Sequence, residues 1–537
     1  MNKACKVIVA MLLCAAGVPA ALAQSNACPL RPGPGTVVNN PLDLYSTKGV
    51  LNAAFTMNSE LGGFLEECYV YQAPSGAAEA PTLHLNPGDE LALTLTNRLS
   101  YTPPPPPSQA GAATTMSGMA GMPGRAQSDN PCTGGTMSAT STNIHFHGLN
   151  IPPVCHQDEI IDTDIENTDP PFQYKFNVPL NDAPGMYWYH PHLHGQATLQ
   201  VNGGAAGALI VGGMEKVNSQ VGGLPERILI IRQQFTNPNS WIAGPYELTV
   251  NFQPVVPPFP APIIQIQPGA KEFWRVANAT SQGFLTLGVF FGQTAQSVEI
   301  IALDGIPVTH PYSTTSIILP PAGRAEFIVT GPPAGQAASF QHTGFDTGPI
   351  GNPNPPFELA SIQATTSAKE PPALPAAPKK PGAAPPQRFA GLLGIRPTAS
   401  RRMYFSEATN GTNGPTEFFI TLDGQVPKLF SMSDPPVITT HLGAVEDWTV
   451  ENRTGETHAF HIHQVHFLFL ASNGVPEPDP QLRDTVVVPA WNGTGPYPTV
   501  VMRLDFRDPE IVGTFVFHCH VLDHEDAGMM QKIRVLP

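Results

Sequence analysis

The sequence predicts an all-β protein built from three similar domains in series, and three observations predict it. Charged residues make up only 13% of the 537, about half the usual share of roughly 25%, which argues against helical bundles and coiled coils. Pro (61) and Gly (49) together form about a fifth of the chain, which suits short strands joined by many turns. Finally, one pattern recurs: an apolar stretch, a Pro/Gly turn, then alternating apolar residues ending in Asn. Its copies are Leu83 to Asn97, Ile263 to Asn278 and Val437 to Asn452. The turn glycine precedes the Asn by nine residues each time (Gly88, Gly269, Gly443), and the copies recur after 181 and 174 positions. A fixed internal offset at a near-constant period is the mark of a repeated unit.

From the N-terminus, Lys3 and Lys6, an apolar run from Val7 to Val18, and Ala21-Leu22-Ala23 before Gln24 read as a cleaved secretory signal over residues 1–23. The apolar core is too short for a membrane span, and no later stretch reaches the length one needs. The mature protein is expected to be secreted or periplasmic, and a monomer. Domain 1 is expected over 24–215, with a low-complexity insertion at about 100–140 holding Pro103 to Pro107 and Met116, Met119 and Met122. Domain 2 is expected over 222–365. A Pro/Ala-rich stretch at 366–397 without periodicity reads as an extended, semi-rigid linker, and domain 3 follows over 398–537. A formal net charge of −15 gives no electrostatic support for a nucleic-acid partner. With Cys5 and Cys14 removed with the signal, Cys28, Cys68, Cys132 and Cys155 can form two disulfides in any of three pairings, leaving Cys519 free. Asn-x-Thr sequons stand at Asn278, Asn410, Asn452 and Asn492.

The chemistry lies in the histidines. Twelve of the 17 fall in four clusters: 145/147, 190/192/194, 458/461/463/466 and 518/520/524. In a strand, residues i and i+2 share a face, so each His-x-His pair delivers two imidazoles to one place, while Cys519 points away from His518 and His520. One strand thereby serves two metal sites. Imidazole and thiolate together select copper, zinc or iron. For the Cys519 site, His458, His524 and Met529 complete two imidazoles, one thiolate and a weak axial thioether, the set of a blue-copper electron-transfer centre; zinc fits the ligand types but would leave Met529 idle. Domain 1 has Thr142 and Pro191 where His458 and Cys519 would align, and domain 2 has Leu287 where the His-x-His would fall, so domain 2 is expected to be metal-free. His84, His310, His342 and His441 stand alone.

The strings His145-Phe-His147-Gly148, Tyr189-His190-Pro-His192, His458-Ala-Phe-His461-Ile-His463 and His518-Cys519-His520-x3-His524-x4-Met529 resemble, in order, the four signatures of the multicopper oxidases. The resemblance covers essentially the mature chain. It is nearest to bacterial laccase-like and cuprous-oxidase-like members, and implies three cupredoxin-like Greek-key β-sandwich domains and four copper ions. A type 1 copper is implied on His458, Cys519 and His524 with Met529 axial, and a type 2 copper on His145 and His461. The type 3 pair takes His147, His190 and His520 on one ion and His192, His463 and His518 on the other. The implied reaction couples four one-electron oxidations of a small-molecule reducing substrate to reduction of O2 to two waters, with electrons passing from Cys519 to its covalent neighbours. Ala459 replaces a Pro found in many relatives and removes no ligand.

Dioxygen reduction consumes four protons, so carboxylates should relay them: Glu525 and Asp158 stand where relatives place such acids. His194, His466 and His156 read as bystanders near the ligands. For the donor, phenols and aromatic amines come first, since an axial Met suits a low type 1 potential. Thioethers favour Cu(I), so the Met116, Met119, Met122 run supports Cu(I) as an alternative substrate, although relatives that oxidise Cu(I) carry their Met-rich insert in domain 3. A non-catalytic copper carrier would not need all ten histidines and Cys519.

Overall fold

The computed structural model describes residues 27–61, 65–100, 130–134, 137–234, 247–255, 259–379, 388–409 and 414–537. The signal-like segment, the Pro103–Pro107 tract, the three insertion methionines and Asn410 lie outside the described residues.

Six sheets pair into three β-sandwiches, each with its own apolar core, in agreement with the all-β reading. In the first sandwich, one sheet runs Asp43–Tyr45, Thr82–Leu85, Gly207–Val211, Gly185–His190, His145–His147, and the other Gly76–Glu79, Leu65–Ala73, Val50–Leu61, Glu90–Arg98, Phe172–Asn177. Phe172–Asn177 shows how the sequence sets the facing: Phe172, Tyr174 and Phe176 are buried while the residues between them are exposed, the period-two alternation of a strand with one wet face. The second sandwich packs around Trp274 and Phe327, and the third around Trp448, Phe460 and Phe517.

The repeated Gly-to-Asn pattern proves to be one structural device used three times. The glycines turn into the strands Glu90–Arg98, Lys271–Ala279 and Ala444–Asn452 with φ of +90°, +70° and +91°, a region that costs an L-residue strain. At the far end of each strand the buried Asn side chain closes a corner. Asn97 donates to the carbonyls of Thr140 and Ile165 and accepts from Leu99 N–H. Asn278 donates to Gly283 and Leu319 and accepts from Thr280. Asn452 donates to Glu456 and Pro489 and accepts from Thr454. The sequon threonines Thr280 and Thr454 also donate their hydroxyls to these Asn side chains. Two of the glycosylation matches are therefore buried corners.

Disulfides join Cys28 to Cys68 and Cys132 to Cys155, leaving Cys519 as the free cysteine. The described parts of the Pro/Ala-rich stretch pack against the sandwiches they connect. Ala373 bridges Pro225, Leu374 packs beside the second sandwich, and Arg388 to Ile395 lies against the third. Among the described residues, no helix is long and apolar enough to cross a membrane.

Candidate metal centre

Two His-bearing strands, His145–His147 at the edge of its sheet and His458–Ile462 flanked by neighbours on both sides, face each other across the seam between the first and third sandwiches. In the first, His145 pairs with His190 across antiparallel strands; in the third, His461 pairs with His518 and Phe460 with Cys519. Across the seam, the His145 ring stacks on His463 with centroids 3.8 Å apart, and His147 on His461 at 3.9 Å. All of these rings are buried. Their donor atoms form sets lying within 4.8 Å of one another: His145, His147 and His461; His147, His190 and His520; and His192, His463 and His518. A further set joins His145 and His463 with Asp158. In the third of these sets three Nε2 atoms crowd together, His463 at 3.1 Å from His192 and 3.2 Å from His518, with His192 and His518 at 3.2 Å.

The surroundings fix which nitrogen carries the proton. A carbonyl only accepts, so His190, His461 and His518 donate their Nδ1–H to the carbonyls of Pro191, Asp484 and Cys519. His145 Nδ1 lies 2.9 Å from Asp158. Each of these rings then presents a bare Nε2. Nε2 of His145, His190 and His461, Nδ1 of His147 and both nitrogens of His520 have no hydrogen-bond partner among the described residues. Buried polar atoms left unpaired are costly, and a shared ion removes that cost. Burial, then mutual repulsion, holds His145, His147, His463 and His520 well below the ordinary imidazole range, and burial holds His192 and His518 at about 4. Neutral rings with free lone pairs are what a transition-metal ion requires.

The thiolate site is separate and lies within the third sandwich. Cys519 Sγ is 3.6 Å from His458 Nδ1 and 3.8 Å from His524 Nδ1, and those two nitrogens are 3.1 Å apart. His458 Nε2 is held by the Thr454 hydroxyl at 2.7 Å. Met529 is buried in the same core, its carbonyl accepting from Cys519 N–H and its N–H donating to the His524 carbonyl. Burial pushes the Cys519 thiol up to about 12, so a cation must displace its proton on binding. His524 opens onto a surface depression lined by Gln282, Phe284, Asn352 and Glu456. In the first sandwich Thr142 is hydrogen-bonded to Gln200 instead. Among the described residues, no candidate ligand set draws on the second sandwich, where Leu287 sits in the core.

Asp158 is fully buried, accepts from Phe146 N–H at 2.8 Å and from Gln464 Nε2 at 2.5 Å, and is raised well above the carboxylate range by burial. Glu525 lies 3.0 Å from His518 Nδ1 and 3.5 Å from His192 Nδ1. Neither contact has hydrogen-bond alignment, and burial pushes its carboxyl up to about 7 against the pull of His192. The short helix Leu522–Asp526 that carries it also sends Asp523 to Gln282 of the second sandwich and Asp526 to the N–H groups of Gly195 and Thr198 of the first.

The sequence reading missed Asp484. Arg324, from the second sandwich, grips it with both guanidinium nitrogens at 2.8 and 2.6 Å. Against the upward push of burial, this cation holds the carboxylate well below its usual range. Asp484 then lies 3.4 Å from His147 and 3.5 Å from His466. The only sequence signal was Gly148: a Cβ there would stand 2.7 Å from Arg324 Nη2 and 2.8 Å from Asp484 Oδ2. His466 donates to the Asp304 carbonyl, His156 binds the Gln173 carbonyl, and His194 meets the edge of Phe430.

Multicopper oxidase family models match residues 136–216 and 400–537, the two stretches that supply these ligand sets. A laccase of Haloferax volcanii is 25% identical over 76% of this chain and 69% of its own length. The multicopper oxidase mco of Staphylococcus epidermidis is 25% identical over 74% of this chain and 77% of its own. Among solved structures, the McoA multicopper oxidase of Aquifex aeolicus superposes with a TM-score of 0.67 at 19% identity, covering 94% of this chain and all of that one. A multicopper oxidase of Campylobacter jejuni described as a metallo-oxidase superposes at 0.65 and 22% identity, over 94% and 96%. Buried, neutral imidazoles converging from two sandwiches, a further set built on a cysteine, and matches of family model and fold over the same residues have one common meaning: this chain carries multicopper oxidase domains at residues 136–216 and 400–537.

Proposed function

We propose that the protein oxidises phenols or aromatic amines, one electron at a time, at a type 1 copper and reduces O2 to two waters at a trinuclear copper cluster. The observation that carries this reading is the convergence of the Nε2 atoms of His192, His463 and His518 at 3.1–3.2 Å from one another, beside the His147, His190, His520 set. His458, Cys519 and His524, with Met529, would hold the type 1 ion, His145 and His461 the type 2 ion, and the two imidazole triads the type 3 pair. When bound, copper supplies one-electron transfer at the thiolate and multi-electron reduction of O2 at the imidazole cluster.

The chain's own groups do the rest. Asp158 and the carbonyls of Pro191, Asp484 and Cys519 set the tautomers that aim Nε2 inward. The peptide bonds either side of Cys519 join its thiol directly to His518 and His520, so the two sites share one short covalent path. Glu525, pushed to about 7, holds a proton near neutral pH at the edge of the cluster and is suited to deliver it. His524 faces the depression beside Glu456, whose lining offers hydrogen-bonding groups and no Met or Cys among the described residues; that favours an organic donor over Cu(I). Cuprous oxidation is the second reading, supported by the metallo-oxidase of Campylobacter jejuni in the same fold.

Oxygen uptake by the copper-loaded protein with a simple phenol, with and without added Cu(I), tests both. Uptake with the phenol alone is expected. Uptake with Cu(I) only would transfer the assignment to the second reading, and a colourless protein near 600 nm or one ion per chain would end both.

A further inference from the structure

The linker contributes one residue to the seam that the proposed reaction does not use. Arg388 follows the stretch 380–387 and is almost fully buried, its side chain 6% exposed. Its Nη2 donates to the carbonyl of Gln464 at 2.6 Å. Its other guanidinium nitrogens lie 3.5 Å from Asp182 of the first sandwich and 3.6 Å from Asp508 of the third. The two carboxylates are themselves tied across the seam: Asn150 and Asn181 of the first sandwich donate to Asp508, and Asn150 N–H donates to Asp182. A buried cation between two acids from different modules is a clamp, and removing it leaves both acids buried without their partner.

What the clamp grips is unusual. Gln464 follows His463 directly and has φ of +58°, a conformation that costs a residue bearing a Cβ and persists only when its surroundings impose it. Its carbonyl is held by Arg388, and its side-chain amide donates to Asp158 at 2.5 Å. Asp158 in turn holds His145 Nδ1 at 2.9 Å. A continuous chain of contacts therefore runs from the linker to one ligand ring: Arg388, Gln464, Asp158, His145.

We propose that Arg388 is a positioning residue for the metal centre: by fixing the strained Gln464 peptide it keeps the Gln464 amide on Asp158, and so holds the His145 ring with Nε2 toward His461 and His147. The inference rests on the assignment of His145 and His461 to a type 2 ion. It makes the Pro/Ala-rich connector, which supplies no member of the ligand sets among the described residues, part of the apparatus that retains that ion, while the site at Cys519 is independent of it.

The test is Arg388→Met in the full chain, loaded with copper. Partners that orient a metal-binding His are typically worth about 10- to 100-fold in metal affinity. Arg388 stands further out, so EDTA is expected to strip the type 2 electron-paramagnetic-resonance signal about tenfold faster than from wild type, with the absorbance near 600 nm unchanged. Gln464→Ala should reproduce this, and the double variant should add nothing further. Arg388→Lys, which keeps the charge and one donor, should recover most of the retention. In the metal-free protein, Arg388→Met should also speed amide hydrogen exchange over residues 461–466. Wild-type retention in either Arg388→Met or Gln464→Ala, or loss of the blue band in step with the type 2 signal, overturns the proposal. Should Arg388→Met not fold, Gln464→Ala and Arg388→Lys decide it alone. If wild type binds no copper, the assignment of the ions fails, whereas the exchange measurement still judges the clamp.

Discussion

Replacing Glu525 by Gln isolates a single buried proton. In the folded chain burial pushes this carboxyl to about 7, from a reference value of 4.5. Because the folded pKa is raised, the stability that accompanies the protonated acid is fully present below pH 4.5 and is lost as pH rises through about 7. At about 1.36 kcal/mol per unit, the whole loss is about 3 kcal/mol, of which about 2 kcal/mol falls between pH 5.5 and pH 8. Gln keeps the shape and cannot ionise. Urea unfolding of the two metal-free proteins at pH 5.5 and pH 8 should therefore show the variant gaining about 2 kcal/mol on wild type over that interval, with every other titrating group cancelling in the difference. The copper-loaded variant should turn over more slowly with its blue band intact. An equal gap between the proteins at both pH values would mean that Glu525 is already ionised at pH 5.5 and has no proton to give.

Asp158→Asn offers Gln464 an amide donor instead of an oxygen and leaves one acceptor for His145 and Phe146 N–H; turnover should fall about 10- to 100-fold while the absorbance near 600 nm stays, and unchanged turnover would refute the role. Cys519→Ser should abolish that absorbance and lower bound copper by about one ion per chain, as metal analysis would register; a surviving blue band would place the type 1 ion elsewhere. Asn278→Ala strips two donors and an acceptor from a buried corner at about 1–3 kcal/mol for each group left unpaired, so the second sandwich should lose about 3–9 kcal/mol in thermal or urea unfolding, and a loss under 1 kcal/mol would contradict the corner's importance.

The ligand clusters and the repeat were legible because both are local and periodic: two-residue spacing on a strand states which side chains share a face, and a nine-residue Gly-to-Asn offset states where a strand begins and ends. Asp484, Arg324 and Gln464 were not legible. Each acts through a contact between sandwiches, and no local pattern distinguishes an acid destined for the seam from one on a loop. Gly148 was quoted only as part of a motif; that it makes room for the Arg324–Asp484 pair emerges only when the second sandwich is packed against the first and third. The surfaces that the linker touches were not legible for a similar reason. Composition rich in Pro and Ala describes a chain without internal order, yet Leu374 and Arg388 find their places on surfaces that other parts of the sequence build.

The five-residue helix at 522–526 limits how such proteins can be recombined. Two of its acids, Asp523 and Asp526, find hydrogen-bond partners in two other modules, and burial brings these and Glu525 each to about 7. A chimera that grafts this C-terminal unit onto another body inherits those acids and keeps their partners only if that body offers an amide at the place of Gln282 and backbone N–H groups at the places of Gly195 and Thr198. Otherwise it would confine unmatched carboxyls at the new junction, and a successful crossover must then import the receiving contacts along with the graft.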